Sequence, residues 1–161
     1  VRFVTVSDVD KTALKKLRKS LPKGYAQKLK VKVFDANKKF PFQPASFDGL
    51  FCTGALHLFT RKQLTHIFYE ISRVLKPGGK LVFDFATDIQ RTVPIGRKRF
   101  YKNGPEYKTV EAQRFLKKAL KAYKSRFYKS SFYDNLANVK GYGWKVKGKF
   151  LLVIGRKSKT G

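Results

Sequence analysis

Hydrophobic positions recur at helical spacing between two short apolar runs in the first half of the chain. The runs at residues 47–52 and 80–85 have the composition of buried strands. One helix face is indicated between them by Leu64, Ile67, Phe68, Ile71, Val74 and Leu75. Thr60 with Gln63 three residues later predicts a capping box, and the turn at residues 76–79 predicts the helix end. The pattern predicts a strand–helix–strand unit with parallel strands.

The segments before this unit continue the alternation of strands and helices. Residues 1–7 are rich in β-formers and predict a strand, after which Asp10 suits the N-cap of an amphipathic helix. Residues 28–34 alternate polar and apolar positions, which predicts a second strand. The amino-terminal part therefore has the order of an α/β domain.

The pattern is looser in the second half of the chain. Residues 87–107 predict a long exposed connection. Apolar positions from Leu116 to Phe127 predict a helix that begins near Thr109, and residues 130–139 predict a weaker one. Residues 142–146 and 149–154 predict two strands joined in an antiparallel hairpin. Residues 1–161 are thus predicted to form one α/β domain with parallel strands first and a hairpin last.

Charge adds a candidate partner. The chain has 37 Lys and Arg against 10 Asp and Glu, a net charge of +27. One interpretation is contact with RNA or another polyanion, in which basic side chains neutralise phosphates. The other is a lysine-rich solvated surface, although such surfaces usually carry matching Glu. Both interpretations remain open on charge alone.

Cysteine content and apolar run length bear on the compartment. Cys52 is the only cysteine, so no disulfide can form within the chain. No apolar run approaches the roughly 20 residues of a membrane span, and the amino terminus lacks the form of a signal peptide. We therefore expect a cytoplasmic protein without membrane contact. The two histidines, the cysteine and the scattered acids show no metal-ligand spacing, so no metal is expected.

An ordered series of short motifs carries a family resemblance. Phe40-Pro41-Phe42, Ser46-Phe47-Asp48, Leu56-His57 and Arg73-Val74-Leu75-Lys76-Pro77-Gly78-Gly79 occur in this order. The series resembles the class I, Rossmann-like, S-adenosylmethionine-dependent methyltransferases, over most of residues 4–154. The resemblance implies a mostly parallel sheet with helices on both faces and a C-terminal antiparallel hairpin. It also implies that residues 87–139 form a substrate-side loop and helical segment.

The resemblance assigns cofactor-binding positions. Asp8, at the end of a strand, corresponds to the acid that accepts the ribose hydroxyl groups; it could instead belong to the acid cluster at the helix start. Asp35 and Ala36 correspond to the adenine side, where Asp35 could equally be a solvent-facing loop residue. Thr53 and Gly54 correspond to the cofactor rim, where glycine permits close approach of the methionine moiety.

Two nearby side chains are weaker candidates for a role in catalysis. His57 stands where the family often has a histidine near the methyl-transfer point, so it could orient the acceptor or take its proton. A packed histidine at a loop-to-helix junction is an equally good interpretation. Cys52 is better explained as a small buried side chain than as a nucleophile.

One family element is absent. No strand followed by a G-x-G turn precedes Asp8, and the chain contains no Met. Either the sequence lies within a longer gene product or the domain has lost cofactor binding, and the missing starting Met favours the first alternative.

The expected function is methyl transfer from S-adenosylmethionine. Charge and the basic-aromatic run containing Arg97, Arg99, Phe100 and Tyr101 favour RNA or a ribosomal component as acceptor over a small molecule. The alternative is a non-catalytic, methyltransferase-like module that binds RNA or protein.

Overall fold

The described residues form six strands and three α-helices, with two short 3-10 turns. The computed structural model describes residues 3–22, 24–93, 105–139 and 143–159. The chain divides into two compact units, Val1–Gln43 (unit 1) and Pro44–Gly161 (unit 2). The prediction of one domain over the whole chain stays a prediction, and the two units are taken in turn.

Unit 1 contains a pair of parallel strands and a helix. Strand β1 (Val4–Asp8) pairs with strand β2 (Leu29–Val33), and helix α1 (Lys11–Ser20) lies between them in sequence. Asp10 is the N-cap, because its Oδ1 accepts a hydrogen bond of 2.7 Å from the backbone N–H of Thr12. The predicted order of elements and the predicted cap are therefore confirmed.

The described residues of unit 2 form a mixed four-stranded sheet and two α-helices. Its elements in chain order are β3 (Phe47–Cys52), α2 (Arg61–Val74), β4 (Leu75–Thr92), α3 (Thr109–Ala119), β5 (Tyr123–Asn135) and β6 (Lys145–Lys157). The strand order is β3-β4-β6-β5. The β3–β4 pairing is parallel, whereas β4–β6 and β5–β6 are antiparallel. The predicted strand–helix–strand unit is thus confirmed.

Helix α2 forms for the reasons that its sequence indicates. Gln63 Oε1 accepts a hydrogen bond of 2.8 Å from the backbone N–H of Thr60, and the Thr60 side chain accepts one from the N–H of Gln63. This is the predicted capping box. The predicted apolar face is buried throughout. The ring of Phe68 lies 5.4 Å from that of Phe83 in β4 and 6.5 Å from that of Phe115 in α3.

The core of unit 2 lies on one face of its sheet. Side chains with no exposed surface alternate along the two central strands at Leu81, Phe83, Phe85, Leu151 and Val153. Helices α2 and α3 cover this face. On the opposite face Phe51 is 72% exposed, and Leu152 and Ile154 are also exposed. The prediction of helices on both faces is therefore not met by the described helices of unit 2.

The prediction of a mostly parallel sheet is only partly correct. Among the described strands, two pairings are parallel and two are antiparallel. The α/β class is confirmed. A C-terminal antiparallel hairpin is also present, but it is formed by β5 and β6.

The predicted second half differs most from the structure. The helix expected to reach Phe127 ends at Ala119, and the weaker helix at residues 130–139 is a strand up to Asn135. Residues 145–157 form one continuous strand where a hairpin was expected. Tyr123 and Phe127 fit both a helical and a two-residue period, and pairing with β6 selects the second. The expected loop at 87–107 begins as strand β4, while Pro94 to Gly104 lie outside the described residues.

No helix within the described ranges is long and apolar enough to cross a membrane.

Replacing the α2 cap should weaken the fold measurably. We expect Thr60→Ala to lower the free energy of unfolding by about 1 kcal/mol, because the N–H of Gln63 loses its side-chain acceptor. Thr65→Ala is the matched control: Thr65 is exposed within the same helix and only back-bonds to Arg61. Urea unfolding measures both. An equal loss in the two variants would show that the cap is not responsible.

Candidate functional site

Asp8 lies at the carboxyl end of β1 with an oriented carboxylate. Its Oδ1 accepts a hydrogen bond of 2.8 Å from the backbone N–H of Asp10, two residues on in the turn that leads into α1. The side chain is exposed, and its second oxygen accepts no bond from another described residue. Because Asp10 supplies the helix cap, Asp8 is left available for a ligand. This geometry fits an acceptor of hydroxyl hydrogens.

Asp35 lies just beyond the carboxyl end of β2, at the edge where β1 also ends. Asp8 pairs with Val33 in the parallel register, so the two acids follow neighbouring strands of unit 1. The Oδ1 of Asp35 accepts hydrogen bonds from the backbone N–H and the side-chain amide of Asn37, at 2.9 and 3.0 Å. Asp35 and Ala36 are half-buried. The carboxylate therefore has a fixed orientation in the loop.

An aromatic cluster follows this loop. The ring of Phe34 lies 5.0 Å from that of Phe40 and 5.5 Å from that of Phe42. Phe40 is buried, so the motif around Pro41 packs against the end of β2. This packing positions the Asp35–Ala36 turn.

Thr53 and Gly54 directly follow the carboxyl end of β3 in unit 2. Gly54 has a φ of +67°, a conformation that side chains disfavour, and no heavy atom lies within 4 Å of the position a Cβ would take. Its backbone N–H donates a hydrogen bond of 2.7 Å to Oδ1 of Asp84 in β4. Thr53 is exposed. The glycine thus presents bare backbone to open space, which fits close approach by a ligand.

Asp84 is a site residue that the sequence reasoning missed. It is the acid within the apolar run of β4, out of phase with Phe83 and Phe85, and therefore points to the opposite face of the sheet. An isolated acid at such a position is the signal that could have identified it. By accepting the Gly54 N–H it attaches the loop after β3 to β4.

His57 lies beside this loop in a short 3-10 turn. Its ring packs edge-on against Phe85, with centroids 6.4 Å apart, and its Nδ1 is buried with no hydrogen-bond partner among the described residues. Burial lowers the pKa of His57, an effect that Asp84 opposes and Arg91 assists. The lowered pKa favours the neutral imidazole.

Cys52 has the properties of a packed, unreactive thiol. Burial, with a further contribution from the charge of Asp84, raises the pKa of Cys52 to about 11. Only the thiolate is a good nucleophile, so the side chain is inert at neutral pH. The side chain is half-buried, which fits a small packed side chain better than a nucleophile.

A second group of polar side chains lies where β4 meets the start of α3. The buried hydroxyls of Thr87 and Thr109 are 2.7 Å apart, and Thr109 also donates to Oδ2 of Asp88 at 2.7 Å. Nearby, the Tyr107 hydroxyl donates to the backbone oxygen of Phe59 at 2.6 Å, and its ring packs on Phe85. The sequence reasoning treated this region as loop and missed these residues.

The predicted residues fall into two sets. Asp8, Asp35 and Ala36 are together in unit 1, and Thr53, Gly54 and His57 are together in unit 2. The predicted substrate residues Arg97, Arg99, Phe100 and Tyr101 lie outside the described part of the chain. No group of three or more His, Cys, Asp or Glu side chains suited to a metal ion occurs among the residues that were placed.

Comparison with known proteins identifies the family. Residues 1–83 match the family model described as a methyltransferase domain. This match covers more than half of the chain and includes all of the predicted cofactor positions. The chain belongs to the methyltransferase domain family, and the expected enzyme class and its methyl donor, S-adenosylmethionine, are confirmed at that level.

Solved structures agree on the fold. An S-adenosylmethionine-dependent methyltransferase from Methanosarcina mazei is 19% identical, with a TM-score of 0.65, over 96% of this chain and 82% of that one. A putative methyltransferase from Bacillus halodurans is 18% identical, with a TM-score of 0.68, over 98% and 84%. The YcgJ protein of Bacillus subtilis is 16% identical, with a TM-score of 0.71, over 98% and 83%.

The environment of Cys52 can be tested by alkylation. In the folded protein we expect the iodoacetamide reaction to reach half its maximal rate near pH 11, because burial raises the pKa of Cys52 to about 11. In urea the midpoint should fall to about 8.5. The raised folded pKa also predicts that stability falls as pH rises between these values. Identical midpoints in the folded and unfolded chains would contradict the burial argument; Cys52→Ser gives the unlabelled baseline.

Proposed function

We propose that this protein binds S-adenosylmethionine through Asp8, Asp35, Ala36, Thr53 and Gly54 and methylates RNA or a ribosomal component. The observation that carries the proposal is the family match over residues 1–83, which contains every one of these positions.

Each residue suits one part of the cofactor. The free oxygen of Asp8 accepts hydrogen bonds from ribose hydroxyls, and the Asp10 N–H keeps the carboxylate in position. Asp35 offers an acceptor to the adenine amino group, held by its bonds to Asn37. At the other end, Gly54 allows close approach and Thr53 offers a hydroxyl. When bound, S-adenosylmethionine supplies an electrophilic sulfonium methyl group.

The chemical demands on the protein are modest. Displacement at a methyl group needs the acceptor held at attack distance, so most of the rate enhancement comes from positioning. Where the acceptor must lose a proton, His57 is the candidate base, because burial lowers its pKa and so favours the neutral imidazole. The hydrogen bond from Gly54 to Asp84 holds the loop that carries His57.

Charge supports RNA as the acceptor. A net charge of +27 on 161 residues favours contact with a polyphosphate. Lysines line one cavity of unit 2, and exposed aromatic side chains such as Tyr128 and Tyr133 lie on β5 among basic residues. Such aromatic and basic neighbours suit single-stranded RNA.

The ribose role of Asp8 can be tested against its neighbour. We expect Asp8→Asn to weaken S-adenosylmethionine binding by about tenfold, since a charge-assisted acceptor is lost. Asp10→Asn is the control, because asparagine also caps helices and the residue lies two positions away. Isothermal calorimetry measures both.

The same measurement separates the enzyme from a binding module. An absence of heat in the unmodified protein at high cofactor concentration would remove the catalytic proposal. Equal weakening by the two variants would instead reassign Asp8 to the turn that starts α1.

RNA binding should depend steeply on salt. For a single-stranded RNA oligonucleotide, we expect log affinity to fall linearly with log salt, with a slope of about −0.7 for each phosphate neutralised. Fluorescence anisotropy at several salt concentrations measures the slope. DNA of the same sequence is the control, and it should bind less tightly if the 2′-hydroxyl is recognised. A flat slope would mean that the charge does not serve RNA binding.

A further inference from the structure

A basic cavity lies on the helix-bearing face of unit 2, between the start of α3 and the strands β4, β5 and β6. Its volume is about 450 Å³. The lining residues whose side chains bear on its chemistry are Lys108, Lys129, Lys149, Ser131 and Asp88. All belong to unit 2, and none is among the residues proposed for cofactor binding.

The sheet register places two of the lysines next to a serine. Ser131 pairs directly with Lys149 across β5 and β6, so their side chains point to the same face. Lys129, two residues before Ser131, lies on that face as well. Lys108 comes from the residue before α3. Three segments distant in sequence thus bring three ammonium groups and the Ser131 hydroxyl to one cavity.

Asp88 is the acid that faces these lysines. The register of β4 shifts after Thr87, and Asp88 has a φ of +50°, so this bulge directs its side chain toward α3. Its Oδ2 accepts hydrogen bonds from Thr109 at 2.7 Å and from Lys149 Nζ at 3.2 Å. Asp88 therefore connects the bulge of β4 to the start of α3 and to Lys149.

The charges are unbalanced. Lys149 is paired with Asp88, whereas Lys108 and Lys129 have no acidic partner among the residues described. Two uncompensated ammonium groups beside the Ser131 hydroxyl form a suitable environment for a phosphate, which accepts charge-assisted hydrogen bonds from the ammonium groups and a further hydrogen bond from the hydroxyl.

We propose that this cavity binds a phosphate group carried by a nucleotide-sized part of the methyl acceptor. The volume lies in the range of about 300–1,000 Å³ that is usual for small-molecule sites, and it exceeds what a phosphate alone would fill. The link to the acceptor rests on the proposed methyl transfer to RNA, whereas the phosphate site itself does not. The same lysine and serine side chains would recognise the phosphate of an RNA strand and the phosphate of a free nucleotide.

Pyrophosphate is the first probe of the site. We expect saturable binding by calorimetry, weakened by about tenfold in the double variant Lys108→Gln/Lys129→Gln. Lys62→Gln/Lys117→Gln removes the same charge from exposed positions of unit 2 outside the cavity and should change the affinity little. Equal weakening in both double variants, or no saturable binding at all, would overturn the proposal.

Asp88→Asn provides a test with the opposite sign. Asparagine tolerates a positive φ and keeps an oxygen for Thr109, while it removes the negative charge that faces the lysines. We expect pyrophosphate to bind several-fold more tightly, an outcome that structural damage would not produce. Weaker binding by Asp88→Asn would contradict the proposal.

Competition identifies the source of the phosphate. Displacement of pyrophosphate by a single-stranded RNA oligonucleotide, but not by adenosine 5′-monophosphate, would assign the site to an RNA strand; the reverse would assign it to a free nucleotide. Displacement by neither would overturn the link to the acceptor. Because S-adenosylmethionine binding is measured separately, loss of one activity does not imply loss of the other.

Discussion

The buried face of β4 is the constraint on which unit 2 depends. Leu81, Phe83 and Phe85 have no exposed surface, and they pack between α2 and the neighbouring strands. Truncating one such phenylalanine in a well-packed core costs about 3–5 kcal/mol, so this register has little freedom to shift. Side chains alternate along a strand. The burial of these three residues therefore also determines which β4 side chains point to the opposite face of the sheet and which lie at the end of the strand.

Two carboxylates of β4 follow from that register. Asp84, between two buried phenylalanines, must face the opposite side of the sheet, where it accepts the Gly54 N–H. Asp88, after the register shift, returns to the helix side and bonds Thr109 and Lys149. One strand therefore positions both the loop that follows β3 and the wall of the basic cavity.

The sequence predicted well where local signals agreed. In α2, the apolar period and the Thr60–Gln63 box indicate the same element, and the structure confirms it. The helix ends at Val74, just before the predicted turn, but residues 76–79 belong to strand β4. The signals that predicted the Asp10 cap and strand β3 are equally local. The second half was predicted poorly because Tyr123 and Phe127 satisfy two periods at once, and nothing local ends β6 at Gly148. Gly148 instead passes beneath the ring of Phe132, where a Cβ would lie 2.9 Å from ring atoms.

By itself, the sequence determined the α/β class, the elements from β1 through α2, the family, and the acids that end β1 and follow β2. These properties depend on short-range periodicity, caps and motif order, which are written in neighbouring residues. Only the tertiary structure decided the roles of Asp84 and Asp88, the strand identity of residues 123–135, and the gathering of Lys108, Lys129 and Lys149 around one cavity. Those features depend on pairing between strands far apart in the chain, and hydrophobic pattern alone does not specify which strands become neighbours.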